Sequence, residues 1–305
     1  MLLFRCLFLF PLPLLLLLLL LSPNTWAAAC CGGGFAAPSL IVGDDKAQLT
    51  ASYGYSRVTD DVGTDSLWRR RGSRETTETL KLEGAHVFAD RWQAGLSVPV
   101  VKRSRAGDSS SGLGDVSGTL GYEYLPDWDY NPWRPRGLGF FQLTLPTGRS
   151  INESDATYQL DARGRGFWAL GVGTILTKIL GRWDLYSSLD AHRSFDKSFS
   201  NSQSSGRLKP GFGGNFGLGA GYSRSALRLG AGLTWTYEDP IDVEGTTPSE
   251  GSPQRYATAT LTASYLFPEE LAATISYADQ TLFGDPVNTT LGRGVMIFVQ
   301  KRWLR

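Results

Sequence analysis

Leu227-Arg228-Leu229-Gly230-Ala231-Gly232-Leu233-Thr234-Trp235-Thr236-Tyr237 alternates without a break. In an extended chain Leu227, Leu229, Ala231, Leu233, Trp235 and Tyr237 fall on one face, and Arg228, Gly230, Gly232, Thr234 and Thr236 on the other. Two further segments repeat the pattern. Ala257, Ala259, Leu261, Ala263 and Tyr265 oppose Thr258, Thr260, Thr262 and Ser264, and Ala47, Leu49, Ala51, Tyr53 and Tyr55 oppose Gln48, Thr50, Ser52, Gly54 and Ser56. The second face is built of Gly, Ser and Thr with little charge. In a β-sandwich the apolar faces meet each other and the remaining faces must be soluble, so they would carry more charge. An apolar face turned to lipid and a small polar face lining a closed interior fit these residues better.

Counting such segments gives about twelve strands, near 46–58, 74–88, 92–104, 113–125, 137–147, 163–179, 182–195, 208–222, 226–238, 254–267, 271–281 and 292–304. The number is even, as in single-chain bacterial outer-membrane barrels. The connections alternate in length. Ala89-Asp90-Arg91, Leu180-Gly181-Arg182, Ser223-Arg224-Ser225 and Pro268-Glu269-Glu270 are tight, whereas 59–73, 148–162, 196–207 and 239–253 are long and polar. Short turns belong to the periplasmic side and long loops to the outside; residues 126–136 are the exception, a long periplasmic turn. Aromatic side chains gather at strand ends, where hydrocarbon meets headgroup. Trp92, Tyr122, Tyr124, Trp183, Tyr222, Tyr265 and Trp303 fall at the inner rim, and Tyr53, Tyr55, Trp168, Trp235, Tyr237, Tyr256 and Tyr277 at the outer rim. The fold class read from these signals is all-β, a transmembrane antiparallel β-barrel in a bacterial outer membrane.

Composition agrees. Of 305 residues, 36 are Gly and 9 Trp, only 2 are His, and charged residues make up 19%, a profile of aromatic, Gly-rich β structure. The formal net charge is +1, and Arg5 is the one charge in residues 1–29. No basic surplus remains to attract nucleic acid.

Residues 1–29 read as an export signal: Arg5, a leucine run from Leu14 to Leu21, then Ala27-Ala28-Ala29 as a cleavage site. Pro11 and Pro13 interrupt the run, and no basic stop-transfer flank follows. Cys30-Cys31 would begin the mature chain. Ala27-Ala28-Ala29-Cys30 has the small residues of a lipid-attachment site without its leucine. Segment 30–45 then precedes the barrel, 46–305. Its apolar residues Phe35, Leu40, Ile41 and Val42 suit a chain that folds back to plug the inner mouth; a free leader is the alternative. At the other end Val295, Ile297, Val299, Lys301 and Trp303 share one face of a terminal strand, resembling the aromatic signal read by the outer-membrane insertion machinery, although Leu304 and Arg305 follow it.

Trp92-Gln93-Ala94-Gly95-Leu96-Ser97-Val98-Pro99-Val100, Gly112-Leu113-Gly114-Asp115-Val116, Leu120-Gly121-Tyr122 and Leu145-Pro146-Thr147-Gly148 form a set. It resembles the MetA-pathway-of-phenol-degradation family of outer-membrane transporter-like β-barrels, most firmly over residues 75–195. The resemblance implies passage of small, hydrophobic compounds. Read physically, Gly112 and Gly114 permit a turn, Asp115 can bond backbone groups there, and Pro146 ends a strand.

The interior is where chemistry would sit. Alternation turns Lys81, Glu83, Glu123, Gln142, Asp184, Asp190, His192, Asn215 and Arg228 inward, candidates for lining a lumen. Charges of both signs would pair across it, and about twelve strands leave a narrow or partly blocked bore. Ser188, Asp190 and His192 contain the residue types of a catalytic triad. On one strand, however, Ser188 and His192 stand about 13 Å apart, too far to share a proton. No metal-ligand cluster accompanies His86, and no glycine motif opens a helix to hold a phosphate. The sequence therefore predicts a monomeric, non-enzymatic channel with no cofactor, with membrane lipid and the insertion machinery as partners. An outer-membrane hydrolase using His192, and a sealed barrel whose loops bind a partner, are the competing readings.

Overall fold

The computed structural model describes residues 38–128, 131–246 and 248–305; the expected signal, Cys30, Cys31 and Phe35 lie outside them. Sixteen strands form: β1 (Asp45–Val62), β2 (Trp68–Phe88), β3 (Trp92–Arg105), β4 (Asp108–Leu113), β5 (Val116–Leu125), β6 (Arg136–Leu145), β7 (Ala169–Leu180), β8 (Trp183–Ser194), β9 (Lys197–Ser200), β10 (Ser205–Lys209), β11 (Phe212–Arg224), β12 (Leu227–Glu238), β13 (Asp242–Gly245), β14 (Gln254–Phe267), β15 (Leu271–Asp279) and β16 (Thr289–Leu304). β1 pairs antiparallel with both β2 and β16, and β2 with β3, so the sheet closes on itself. β4 and β5 both pair with β3 and occupy one position in the wall, interrupted at Gly114-Asp115. The result is a closed twelve-stranded antiparallel barrel.

The two faces separate as alternation requires. Leu49, Leu80, Leu82, Leu96, Phe141 and Leu261 are each 49–67% exposed on the outer surface, whereas Thr50, Ser52, Thr119, Ser264 and Ser276 are buried inside. Exposed apolar surface on this scale has no counterpart in a water-soluble monomer and is the surface that lipid covers. Rings pair along the expected inner rim: Trp92 with Tyr122, Trp183 with Tyr222, and Tyr265 with Phe267. Tyr256, expected at the outer rim, instead faces inward, in register with Thr236, whose hydroxyl bonds the inward Asn215. His86 faces outward beside buried Ala85 and Val87.

Several boundaries differ from those expected, each for a local reason. The polar stretch 59–73 is mostly strand: β1 and β2 run on until Val62 meets Trp68, leaving 63–67 as the loop. Arg71 bonds Asp61 across the strands and Glu75 along its own, and these ion pairs take the place of apolar contacts above the membrane. Residues 208–222 are two strands, because Pro210-Gly211 cannot continue a ladder and separates β10 from β11. The loops 196–207 and 239–253 supply β9, β10 and β13, a small antiparallel sheet above the barrel with Phe167, Phe199 and Leu208 buried beneath it. The strand expected at 163–179 starts only at Ala169, since the chain turns inward up to the buried Phe167 before Trp168 comes to the outer surface. The tight connections are as short as read; Ala89 and Asp90 both hold positive φ (47° and 61°), as a two-residue turn matching strand twist demands.

Leu229 and Leu261, 53% and 61% exposed on the outer face, test this assignment. Arginine at either site should cost about 2–4 kcal/mol and reduce the folded fraction in lipid. Gln142→Arg, which enters an internal cavity, should fold like the parent in the same urea titration. Equal tolerance of all three substitutions would mean that the lipid-facing side is misassigned.

Candidate functional site: an occluded lumen

Three groups of residues fill the barrel from the periplasmic end outward. The first is the chain before β1. Ser39 Oγ donates to the Gly84 carbonyl at 3.1 Å, and Gln48 Nε2 donates to the Leu40 carbonyl at 3.1 Å. Gln93 serves Ile41 twice: its Oε1 accepts from the Ile41 N–H at 2.6 Å and its Nε2 donates to the Ile41 carbonyl at 3.0 Å. One side-chain amide thus does for Ile41 what a neighbouring strand would do, and buried peptide groups are not left unpaired. Gly95 is required here, because a Cβ would overlap the Ser39 carbonyl. Leu40 packs on Leu138, Phe140 and Ile175 with Val42 beside it, and Ile41 packs on Ala85 and Val87. Arg136 to Asp44, 2.7 Å, and Arg302 to Asp45, 2.8 Å, hold the segment where it enters β1. An interior of Gly, Ser and Thr was expected from the sequence; this apolar patch of Leu138, Phe140 and Ile175 interrupts it.

The second group is a set of ion pairs across the wall. Arg228 binds Asp184 through two bonds, 2.8 and 2.6 Å, with both side chains buried. Glu123 takes Arg136 at 2.6 Å, and Lys81 lies 3.1 Å from Glu83. Removing one partner of such a buried pair costs about 3–5 kcal/mol by leaving the other uncompensated. Glycines make room for these long side chains. Added Cβ atoms at Gly219 and Gly232 would overlap the Tyr186 ring and hydroxyl, and one at Gly221 would overlap the Arg228 guanidinium.

The third group is the segment 148–168, which descends into the outer half of the lumen. Asp115 receives it: Oδ1 accepts from Gly148 N–H at 2.9 Å, and Oδ2 from Arg165 and Gly166 N–H at 2.7 and 3.0 Å. Gly148 and Gly164 lie so close to this carboxylate that side chains there would crowd it. Arg103 donates to the Gln159 and Ala162 carbonyls and is itself paired with Glu75 at 2.7 Å. The segment then presents Arg165 to Glu238 at 2.6 Å, with His192 Nε2 3.1 Å from the same carboxylate oxygen.

These contacts divide the remaining space. An inner cavity of about 180 Å³ is lined by Phe140, Gln142, Asp190, His192 and Asn215 among others, and an outer one of about 270 Å³ opens between the barrel and the external sheet. Arg165, Phe167, Ser194 and Glu238 border both, so they form the partition. A cavity of about 150 Å³ holds one benzene ring, so the inner space suits a molecule of that size. Of the inward residues read from the sequence, Gln142, Asp190, His192 and Asn215 come together here; Asp190 accepts from Asn215 Nδ2 at 3.0 Å. Lys81, Glu83, Glu123, Asp184 and Arg228 lie elsewhere in the interior, in their own pairs. Asp115, Arg165, Phe167 and Glu238 were not among the expected lining residues. The interruption of alternation at Gly164-Arg165-Gly166 is the signal that could have found the inward segment.

One solved structure is similar over nearly the whole barrel. The COG4313 outer-membrane channel from Pseudomonas putida F1 superposes with a TM-score of 0.71 at 18% identity, over 89% of this chain and 99% of that one. The fold is that of a bacterial outer-membrane channel. With its lipid-facing exterior, the barrel resides in a bacterial outer membrane. A mutant of the TodX monoaromatic hydrocarbon channel aligns over 86% of this chain and 91% of that one at 8% identity, with a TM-score of 0.46. The NanC porin aligns over 82% and 98% at 10% identity, with a TM-score of 0.44. No family model matches the chain.

Two predictions concern the inward segment. Asp115→Ala removes the acceptor of three backbone N–H groups and should release residues 148–166, raising small-solute flux in liposomes several-fold while the barrel stays folded. Unchanged flux and unchanged hydrogen exchange over 148–166 would show that Asp115 does not hold it. The second is a pH dependence. Burial pushes the Glu153 carboxyl up, but Lys197 and the Ser150 backbone and hydroxyl outweigh it and hold its pKa below the ordinary carboxylate value; Ser154 and Arg149 do the same for Asp161. Carboxylates with lowered folded-state values contribute stability above their unfolded values, and that contribution is lost as pH falls through the folded values. Exchange protection of 149–166 should therefore be equal at pH 7 and 6 and decline only below about pH 4. A decline between pH 7 and 6 would assign the docking to other groups.

Proposed function

We propose that the chain is a passive channel for small molecules, apolar ones included, that rests in an occluded state. The observation carrying this reading is the pair of cavities inside the lumen, separated by side chains of one segment and stopped below by another. Neither stopper belongs to the barrel wall, so both can move without breaking the closed sheet. The resemblance of the Trp92–Val100 and Gly112–Val116 stretches to the MetA-pathway family supports the same reading. So does the mixed lining of the inner cavity, where Phe140 and Phe167 face Gln142, Asn215 and Thr144.

The energetics of the inner stopper suit displacement. Burying Leu40, Ile41 and Val42 contributes about 5–9 kcal/mol. The four hydrogen bonds from Ser39, Ile41, Gln93 and Gln48 add about 4 kcal/mol. Ordering the backbone of residues 38–44 costs about 7–14 kcal/mol. The sum is near balance, and an entering solute that competes for the Leu138, Phe140 and Ile175 patch would tip it.

The hydrolase reading has less support. His192 Nε2 lies between Glu238 and Arg165, donating to the one or accepting from the other according to its tautomer, and among the described residues no hydroxyl is hydrogen-bonded to its ring. The sealed-barrel reading is favoured by the two stoppers themselves. It is separated from the channel reading by removing one of them: deletion of residues 38–43, which leaves Asp44 and Asp45 in place, should raise permeation of a small neutral aromatic solute in liposomes several-fold. No flux in either protein would leave the sealed barrel.

A further inference from the structure

Outward side chains change character just above the outer aromatic rim. On β1 the outer face runs Tyr53, Tyr55, Arg57, and on the adjoining β16 it runs Ile297, Val295, Arg293. Arg57 and Arg293 stand directly opposite each other in the ladder, both exposed. Like charges in that relation repel and destabilise the pair unless an anion lies between them. Arg293 is compensated by Asp279, 2.9 Å away. Arg57 is not. On the other flank, β2 bulges at Arg71-Gly72-Ser73-Arg74, and the exposed Arg74 donates from NH2 to the Tyr55 hydroxyl at 2.7 Å. Among the described residues neither Arg57 nor Arg74 has a carboxylate partner, whereas their neighbours Lys102, Arg69 and Arg71 all do. Because Tyr55 Oη accepts from Arg74, its own proton remains to be donated.

We propose that Arg57, Arg74 and Tyr55 form a binding site for a phosphate group of the glycolipid of the outer leaflet, a lipid A. Two guanidinium forks and one phenolic O–H, on neighbouring outward positions of β1 and β2 above the outer aromatic rim, offer charge-assisted donors to a headgroup phosphate. The ring of Tyr53, whose hydroxyl bonds Glu78 at 2.9 Å, and the Tyr55 ring form an amphipathic floor beneath it, a surface suited to the sugar to which the phosphate is attached. Arg293, already neutralised, closes the far side of the site without adding net charge. The site is independent of what passes through the lumen, and it rests on the orientation that puts the 63–67 loop outside the cell.

The test uses the full chain in phosphatidylcholine nanodiscs doped with bisphosphorylated lipid A or with the same lipid dephosphorylated, read by native mass spectrometry. The parent should retain the phosphorylated lipid and not the other. Arg57→Gln with Arg74→Gln should weaken retention at least roughly tenfold, given about 1 kcal/mol for each basic residue at a charged membrane surface. Tyr55→Phe should weaken it less, and Arg91→Gln, at the opposite rim, should leave it unchanged. If the double Gln variant fails to migrate as a folded barrel on unheated gels, Arg57→Lys with Arg74→Lys keeps the charge, removes the forks and should still reduce retention. Equal retention of the dephosphorylated lipid, full retention by the folded variants, or displacement by millimolar inorganic phosphate would each overturn the lipid site. In a background lacking Cys30 and Cys31, a cysteine at Ser66 should be labelled by an impermeant reagent on intact cells. Labelling at Ser225 instead would overturn the orientation, and the proposal with it, without bearing on the channel reading.

Discussion

Pairing of β1 with β16 is the interaction on which the rest of the molecule depends. In hydrocarbon no water is available to an unpaired N–H or C=O, so a sheet that spans it must have no edge. The register from Asp45 opposite Leu304 to Val62 opposite Thr289 removes both edges at once. Arg302 and Asp45, a buried two-bond pair, lie at the periplasmic end of that seam and tie the last strand to the residue where the inner stopper becomes β1. Closure fixes which side chains see lipid, and it also fixes the volume of the interior that the remaining side chains must fill.

That volume explains the lumen. Twelve strands enclose more space than inward Gly, Ser and Thr can occupy and less than an open pore needs. The chain fills it in two ways. Long side chains reach across glycines in facing strands, as Tyr186 does over Gly219 and Gly232, and Arg228 over Gly221. Two segments that are not strands also turn inward, one from each end. Their polar backbone groups are met by single side chains on the wall, Gln93 for Ile41 and Asp115 for Gly148, Arg165 and Gly166. Neither segment belongs to the ladder, so its displacement would leave the closed wall intact.

The external end follows a different logic, because water returns there. β1 and β2 continue past the membrane on ion pairs such as Arg71 with Asp61 and Glu75, and β9, β10 and β13 build a small sheet over Phe167, Phe199 and Leu208. Among the described residues Arg57 and Arg74 have no carboxylate partner, whereas Arg69, Arg71 and Lys102 near them do.

The sequence by itself determined the number of strands in the barrel wall, the lipid-facing side of the clearly alternating ones and the order of short and long connections, because alternation with period two and turn residues are local properties of the chain. Leu229 and Thr260 could be assigned to opposite faces from their neighbours alone. What only the tertiary structure decided were contacts between residues far apart in sequence. Polarity marked 59–73, 196–207 and 239–253 as loops, but extension of the β1–β2 hairpin and pairing of β10 with β9 and with the distant β13 made strands of parts of each. Asp115 was legible as a backbone-binding residue, though not that its partners would be Gly148, Arg165 and Gly166. Inwardness of His192 and Asp190 follows from alternation, whereas the Glu238 and Arg165 that meet His192 come from a different strand and an inward loop. Closing the barrel brings such residues together in a confined volume, and no local pattern in the chain encodes which of them will then touch.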